Sequence, residues 1–149
     1  MLATVRYHSL GFLPGLPVTL LLIEALKDNY REYSIRGHQS AIASLDKTYG
    51  TSEGDHAEYH HRQIDRLKNG DSSIDYTIET GKKYHKVIMI DSSNNRSVHC
   101  FIDKNTGEVY KSASWKSPAK GVRYDLRLIK DREWLFENAD WSGGYLYAR

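Results

Sequence analysis

From Ile74 onward apolar residues recur at every second position, and clusters of turn residues cut this repeat into short runs. Ile74, Tyr76 and Ile78 alternate with Asp75, Thr77 and Glu79 before Gly81 interrupts. Tyr84 to Ile90 is a strong strand, closed by Asp91-Ser92-Ser93-Asn94-Asn95. Strands over Ser97 to Asp103 and Glu108 to Ser114 follow. Their connector, Lys104-Asn105-Thr106-Gly107, ends in glycine and is the best local hairpin signal in the chain. After a loop at 117–121, Val122 to Ile129 is a further strand candidate, with Val122, Tyr124, Leu126 and Leu128 on one face. Trp134-Leu135-Phe136 and 143–147 offer one or two more short strands. Such a succession predicts a small barrel or curled antiparallel sheet, not a parallel α/β fold.

The chain before Ile74 reads as helical. Asp55, with Glu58 three residues on, has capping-box spacing for a helix from His56 to about Lys68, ended by Asn69-Gly70. Leu22, Ile23, Leu26, Tyr30 and Tyr33 predict an earlier helix from Pro17 or Val18 to about Tyr33, and a weaker one covers Gln39 to Lys47. Residues 48–55 have linker composition, which places a boundary between a mostly helical extension or leader, 1–54, and a β-rich domain, 55–149. The apolar run near Leu20 is broken by Pro14 and Pro17 and ended by Glu24, too short for the roughly twenty residues of a membrane span. A secretory signal with Arg6 as its basic end is the lesser alternative, because no small-x-small cleavage site follows.

The formal charge of the 149-residue chain is only +2, but it is unevenly spread. Between Lys104 and Lys130 seven Lys/Arg face only Glu108 and Asp125, a local +5 that attracts phosphates or acidic partners. Aromatics interleave with these cations: Tyr110, Lys111, Trp115 and Lys116, then Lys120, Gly121, Arg123 and Tyr124. Exposed rings stack on bases while nearby cations neutralise phosphates. The plainer alternative makes Tyr110 and Trp115 core or subunit contacts and the lysines a solvated face.

Catalytic signals are missing. The sequence has no G-x-S-x-G, P-loop or G-x-G-x-x-G, and no nucleophile is paired with a base. The single cysteine, Cys100, lies in an apolar-alternating run and reads as a small buried residue. Among seven histidines, His56 and His60 have the i,i+4 spacing of a chelate, but no third ligand is placed by spacing, so neither metal nor cofactor is expected.

The strings Asp103-Lys104-Asn105-Thr106-Gly107-Glu108-Val109-Tyr110 and Ser114-Trp115-Lys116-Ser117-Pro118-Ala119-Lys120-Gly121, with the ending Asp140-Trp141-Ser142-Gly143-Gly144-Tyr145-Leu146-Tyr147, resemble a family of small proteins of cyanophages and marine viral metagenomes. The resemblance spans roughly Asp55 to Arg149. It implies an α+β, mainly β chain: an Sm-like fold in which a helix precedes a strongly bent five-stranded antiparallel barrel that assembles into homo-oligomeric rings. Lys120-Gly121 resembles the Arg-Gly of the second Sm motif, at the RNA-binding rim. The first motif departs, Asp103-Lys104-Asn105 being only a rough echo, so uridine specificity does not follow. The expected function is therefore non-catalytic binding of RNA or single-stranded nucleic acid. Lys116, Lys120 and Arg123 would take phosphates, and Tyr110 or Trp115 would stack. The alternative is a phage structural or host-interaction protein that uses the barrel only to oligomerise. The implied setting is the cytoplasm of the infected bacterial host.

Overall fold

A computed structural model describes residues 15–147 apart from Ser52. The turn-rich start at 10–14 and the signal reading around Arg6 lie outside the described residues. The elements run α1 (Leu16–Tyr49), α2 (Asp55–Lys68), β1 (Asp75–Thr80), β2 (Tyr84–Ile90), β3 (Arg96–Asp103), β4 (Glu108–Lys111), β5 (Tyr124–Asp125), α3 (Ile129–Asn138) and a 3₁₀ turn (Gly144–Leu146). The fold is α+β: a long N-terminal helix and a five-stranded antiparallel sheet in the order β1-β2-β3-β4-β5. The sheet is open, with β1 and β5 at its edges.

One helix of 34 residues replaces the two expected before residue 50. Pro17 suits its first turn, and Gly50, at φ +73°, ends it by donating its N–H to the Asp46 carbonyl at 2.7 Å. Gly37 does not break it. A glycine costs a helix about 1 kcal/mol relative to alanine, too little to interrupt good formers on both sides. None of the described helices is long and apolar enough to cross a membrane.

The division expected at 54/55 does not separate two cores. Val18, Leu22, Ile23 and Leu26 of α1 pack in the same buried cluster as Val87, Cys100, Ile102, Val109, Leu126, Leu135 and Leu146. The physical reason is the sheet's need for a cover on its apolar face, which α1 supplies together with α3 and the 3₁₀ turn. Beyond this cover α1 continues, and α2 turns back against it. Between these helices His38 Nδ1 and His60 Nδ1 lie 2.9 Å apart, one donating to the other. The N-cap of α2 is Gly54 and makes no side-chain cap bond, so Asp55 is the first helical residue and no capping box forms. Its exit matches expectation: Gly70, at φ +100°, donates to the Leu67 carbonyl and Asp71 to that of Arg66.

β2 and the 104–107 connector stand where the sequence puts them, whereas β4 stops at Lys111. The strand expected over Val122 to Ile129 shrinks to two residues. The Asp131 carboxylate accepts the Asp125 N–H at 2.8 Å, Leu128 N–H turns back to the Asp125 carbonyl, and α3 begins at Ile129. Tyr124 and Leu126 are buried as expected, but Val122 and Leu128 are exposed. The tail forms α3 and the 3₁₀ turn in place of strands. Leu135 enters the core, Trp134 stacks on Tyr124 with centroids 5.3 Å apart, and Tyr124 donates its hydroxyl to the Tyr145 carbonyl at 2.7 Å.

Candidate nucleic-acid interface

Because Val87, Ile102 and Val109 face the core, the alternation of a strand turns their neighbours Lys86, Phe101 and Tyr110 to the opposite side of the sheet. The register sets these three in one row, Lys86 opposite Phe101 and Phe101 opposite Tyr110. Tyr84, two residues from Lys86, meets Phe101 and Tyr110 edge-on at 5.7 and 5.8 Å between centroids. Such tilted aromatic pairs add about 0.5–1.5 kcal/mol beyond burial. Phe101 forms the buried floor, while Tyr84 and Tyr110 are half-buried. Burial, then the nearby Glu108 and Tyr84, push the Tyr110 phenol up, so it stays a neutral hydrogen-bonding group.

Trp115 completes this face from a loop of defined shape. The loop is closed by the Ser112–Pro118 bridge and by Ala113 and Ser114 N–H groups donating to the Ser117 carbonyl. Ser114 Oγ accepts from the N–H groups of Lys116 and Ser117. The loop places the Trp115 ring 4.6 Å from Lys86 Nζ, which also lies 3.8 Å from Glu79. Trp115 remains 42% exposed, and Lys116 beside it is exposed. Lys83, also exposed, stands 5.4 Å from the centre of the Tyr84 ring. The result is an aromatic platform bordered by ammonium groups.

The six residues singled out in the sequence do not form one site. Tyr110 and Trp115 come together through Tyr84, Phe101 and Lys86, with Lys116 next to them. Lys120 is exposed on the following loop. Arg123 serves the scaffold: its Nε donates to the Leu146 carbonyl at 2.7 Å and its Nη1 to those of Lys120 and Gly121 at 3.0 and 2.8 Å. It lines a separate groove of about 530 Å³ beside Tyr124, Lys130, Trp134 and Tyr147. Gly121 stands at φ +97°, and a Cβ there would meet Arg123 Nη1 at 2.9 Å. Gly121→Ala is therefore expected to cost about 1–2 kcal/mol of stability, the scale of a left-handed backbone penalty. Chemical denaturation would measure it.

Tyr84, Lys86 and Lys83 carried no role in the sequence reading. Their signal was present as Lys82-Lys83-Tyr84-His85-Lys86, aromatic and cation at alternate positions of a strand. Asp103, the rough echo of an Sm motif, caps the β3–β4 turn by accepting the N–H groups of Asn105 and Thr106 at 2.8 and 2.9 Å.

Two groups with reactive chemistry, Cys100 and His99, lie in the core. Burial pushes the fully enclosed Cys100 thiol up to about 12, leaving no thiolate at neutral pH. His99 is the bulge residue of β3, since Val87 pairs with Cys100 and Ile88 with Val98. Its Nε2 hydrogen-bonds the Tyr145 hydroxyl at 2.8 Å inside the core. Among the described residues no three His, Cys, Asp or Glu side chains gather to hold a metal, and His56 is exposed while His60 faces His38.

The chain belongs to a family described as a family of unknown function (DUF7717), which matches residues 16–148 and so includes α1. No curated protein and no solved structure matches it.

Proposed function

We propose that this family member is a non-catalytic binder of single-stranded nucleic acid, RNA foremost, acting through the outer face of β2, β3 and β4. The observation that carries this reading is Trp115, 42% exposed with Lys86 Nζ 4.6 Å from its ring centre, linked through Lys86 and Phe101 to the Tyr84–Tyr110 pair. Bases stack on Trp115 beside the half-buried Tyr84 and Tyr110, and Lys83, Lys116 and Lys120 take phosphates. Lys86, with a side chain only 15% exposed, props Trp115 and contributes field rather than a direct phosphate contact. Filter binding of a single-stranded RNA at two salt concentrations tests this. Binding that weakens with salt is expected, and no binding, or binding indifferent to salt, removes the proposal.

An Sm-like ring belongs to the same proposal. A helix followed by five antiparallel strands in meander order supports it, and the two open edges, β1 and β5, are compatible with pairing between copies. In the second reading these edges serve assembly alone, as a phage structural or host-interaction protein would require. Lys116→Ala with Lys120→Ala would then leave both assembly and partner capture untouched. The infected bacterial cytoplasm is the setting proposed for either role.

A further inference from the structure

A groove of about 830 Å³ lies between α1 and α2, and its described lining includes no strand residue. Ligand pockets run from about 300 to 1,000 Å³, so a small molecule fits. We propose that this groove binds a nucleoside monophosphate, its base against Tyr33 and its phosphate among Arg36, Arg66 and the His38–His60 pair. Asp71 is the only carboxylate of the described lining, and it takes Arg66 through Nε at 3.1 Å. The Nη groups of Arg66 and the whole exposed guanidinium of Arg36 stay available, and planar forks of this kind match phosphate oxygens. The imidazoles add a further donor. One ring donates Nδ1–H to the Nδ1 of the other at 2.9 Å, so the accepting ring carries its own proton on Nε2.

The opposite end of the groove is aromatic. Tyr30 meets Trp141 edge-on at 5.3 Å and ties α1 to the loop before β1 through Ser73 Oγ at 3.0 Å. Tyr33 lies 5.1 Å from the same tryptophan and remains 51% exposed. Five residues of helix separate Tyr33 from His38, about 7.5 Å along the axis, the scale of the distance from a base to its 5′-phosphate. Gly37 lines the groove between these ends. A Cβ there would meet nothing within 4 Å, so the glycine does not serve the approach of α2. It weakens the helix and keeps the groove floor open.

Isothermal titration calorimetry of the full-length protein tests the site with adenosine 5′-monophosphate, inorganic phosphate and adenosine. One equivalent of the nucleotide should bind, about tenfold or more tighter than either fragment, because only the nucleotide engages both ends. Arg36→Gln should weaken binding about tenfold, the loss of one charge-assisted hydrogen bond. Gly37→Leu should abolish binding while raising the melting temperature, since leucine is the better helix former and fills the floor. Arg62→Gln removes the same charge from α2 outside the groove and should change nothing. No binding by the wild-type chain, equal affinity for phosphate alone, or undiminished binding in folded Gly37→Leu would each overturn the proposal. An equal loss in Arg62→Gln and Arg36→Gln would overturn it too, because charge alone would then account for binding. The groove is separate from the outer sheet face, so failure of the RNA reading leaves these outcomes unaltered.

Discussion

Deleting residues 1–54 is expected to abolish the cooperative thermal transition of the remaining chain. Val18, Leu22, Ile23 and Leu26 are each no more than 5% exposed and cover the same sheet face as Leu135 and Leu146. Burying such side chains contributes about 1.5–3 kcal/mol each. Four of them together rival the roughly 5–15 kcal/mol that holds a domain folded. Without α1 the apolar face of β2, β3 and β4 opens to water, and the fragment should bind hydrophobic dye and aggregate. A milder form of the same experiment is Leu22→Ala, which should cost about 2–5 kcal/mol in denaturant unfolding because the side chain is fully enclosed. A 55–149 fragment that melts at the wild-type temperature would show that α1 is dispensable.

Acid should destabilise the protein before its carboxylates titrate. Burial lowers His99 from 6.5 to about 4, with Asp140 opposing part of the effect. The folded state therefore binds this proton less readily than the unfolded chain. The stability that neutral His99 secures is fully present above pH 6.5 and falls away as pH drops toward 4. The loss amounts to about 2 kcal/mol by pH 5 and about 3 kcal/mol at the end of the window. Burial also lowers His38 and His85, and their titration overlaps this window. His99→Gln isolates the one site. It keeps a polar partner for the Tyr145 hydroxyl and should flatten the dependence of stability on pH between 6.5 and 5. An unchanged slope would mean that His99 is not the acid-sensitive group.

The parts of the fold legible in the sequence are those decided by neighbouring residues. β2 was legible because Tyr84 to Ile90 has both strand composition and a turn cluster at its end. The β3–β4 connector was legible because Gly107, at φ +74°, supplies the conformation its turn demands. Residues 122–129 failed for the opposite reason. Their alternation is real at Tyr124 and Leu126, but Asp131, six residues on, captures the Asp125 N–H and ends the strand. Trp134-Leu135-Phe136 fits helix or strand equally well as an isolated apolar triplet, and only packing against Tyr124 and the core decides. The basic stretch misled in a similar way. Charge counted along the chain put Arg123 beside Lys116, whereas the guanidinium binds the carbonyl of Leu146, 23 residues away. Cross-strand neighbours such as Lys86, Phe101 and Tyr110 come from three separate strands, so their row exists only once the register is known.

The interface itself is best tested by measuring the affinity of a single-stranded RNA across a salt series for three proteins: wild type, Trp115→Ala, and Lys116→Ala with Lys120→Ala. A stacking base is worth about 1–3 kcal/mol, so Trp115→Ala should weaken binding about five- to 150-fold without changing the salt slope. Removing two phosphate contacts should flatten that slope by about 1.4, at about 0.7 per contact on a single strand. Equal affinities and equal slopes in all three proteins would contradict a nucleic-acid interface on this face of the sheet.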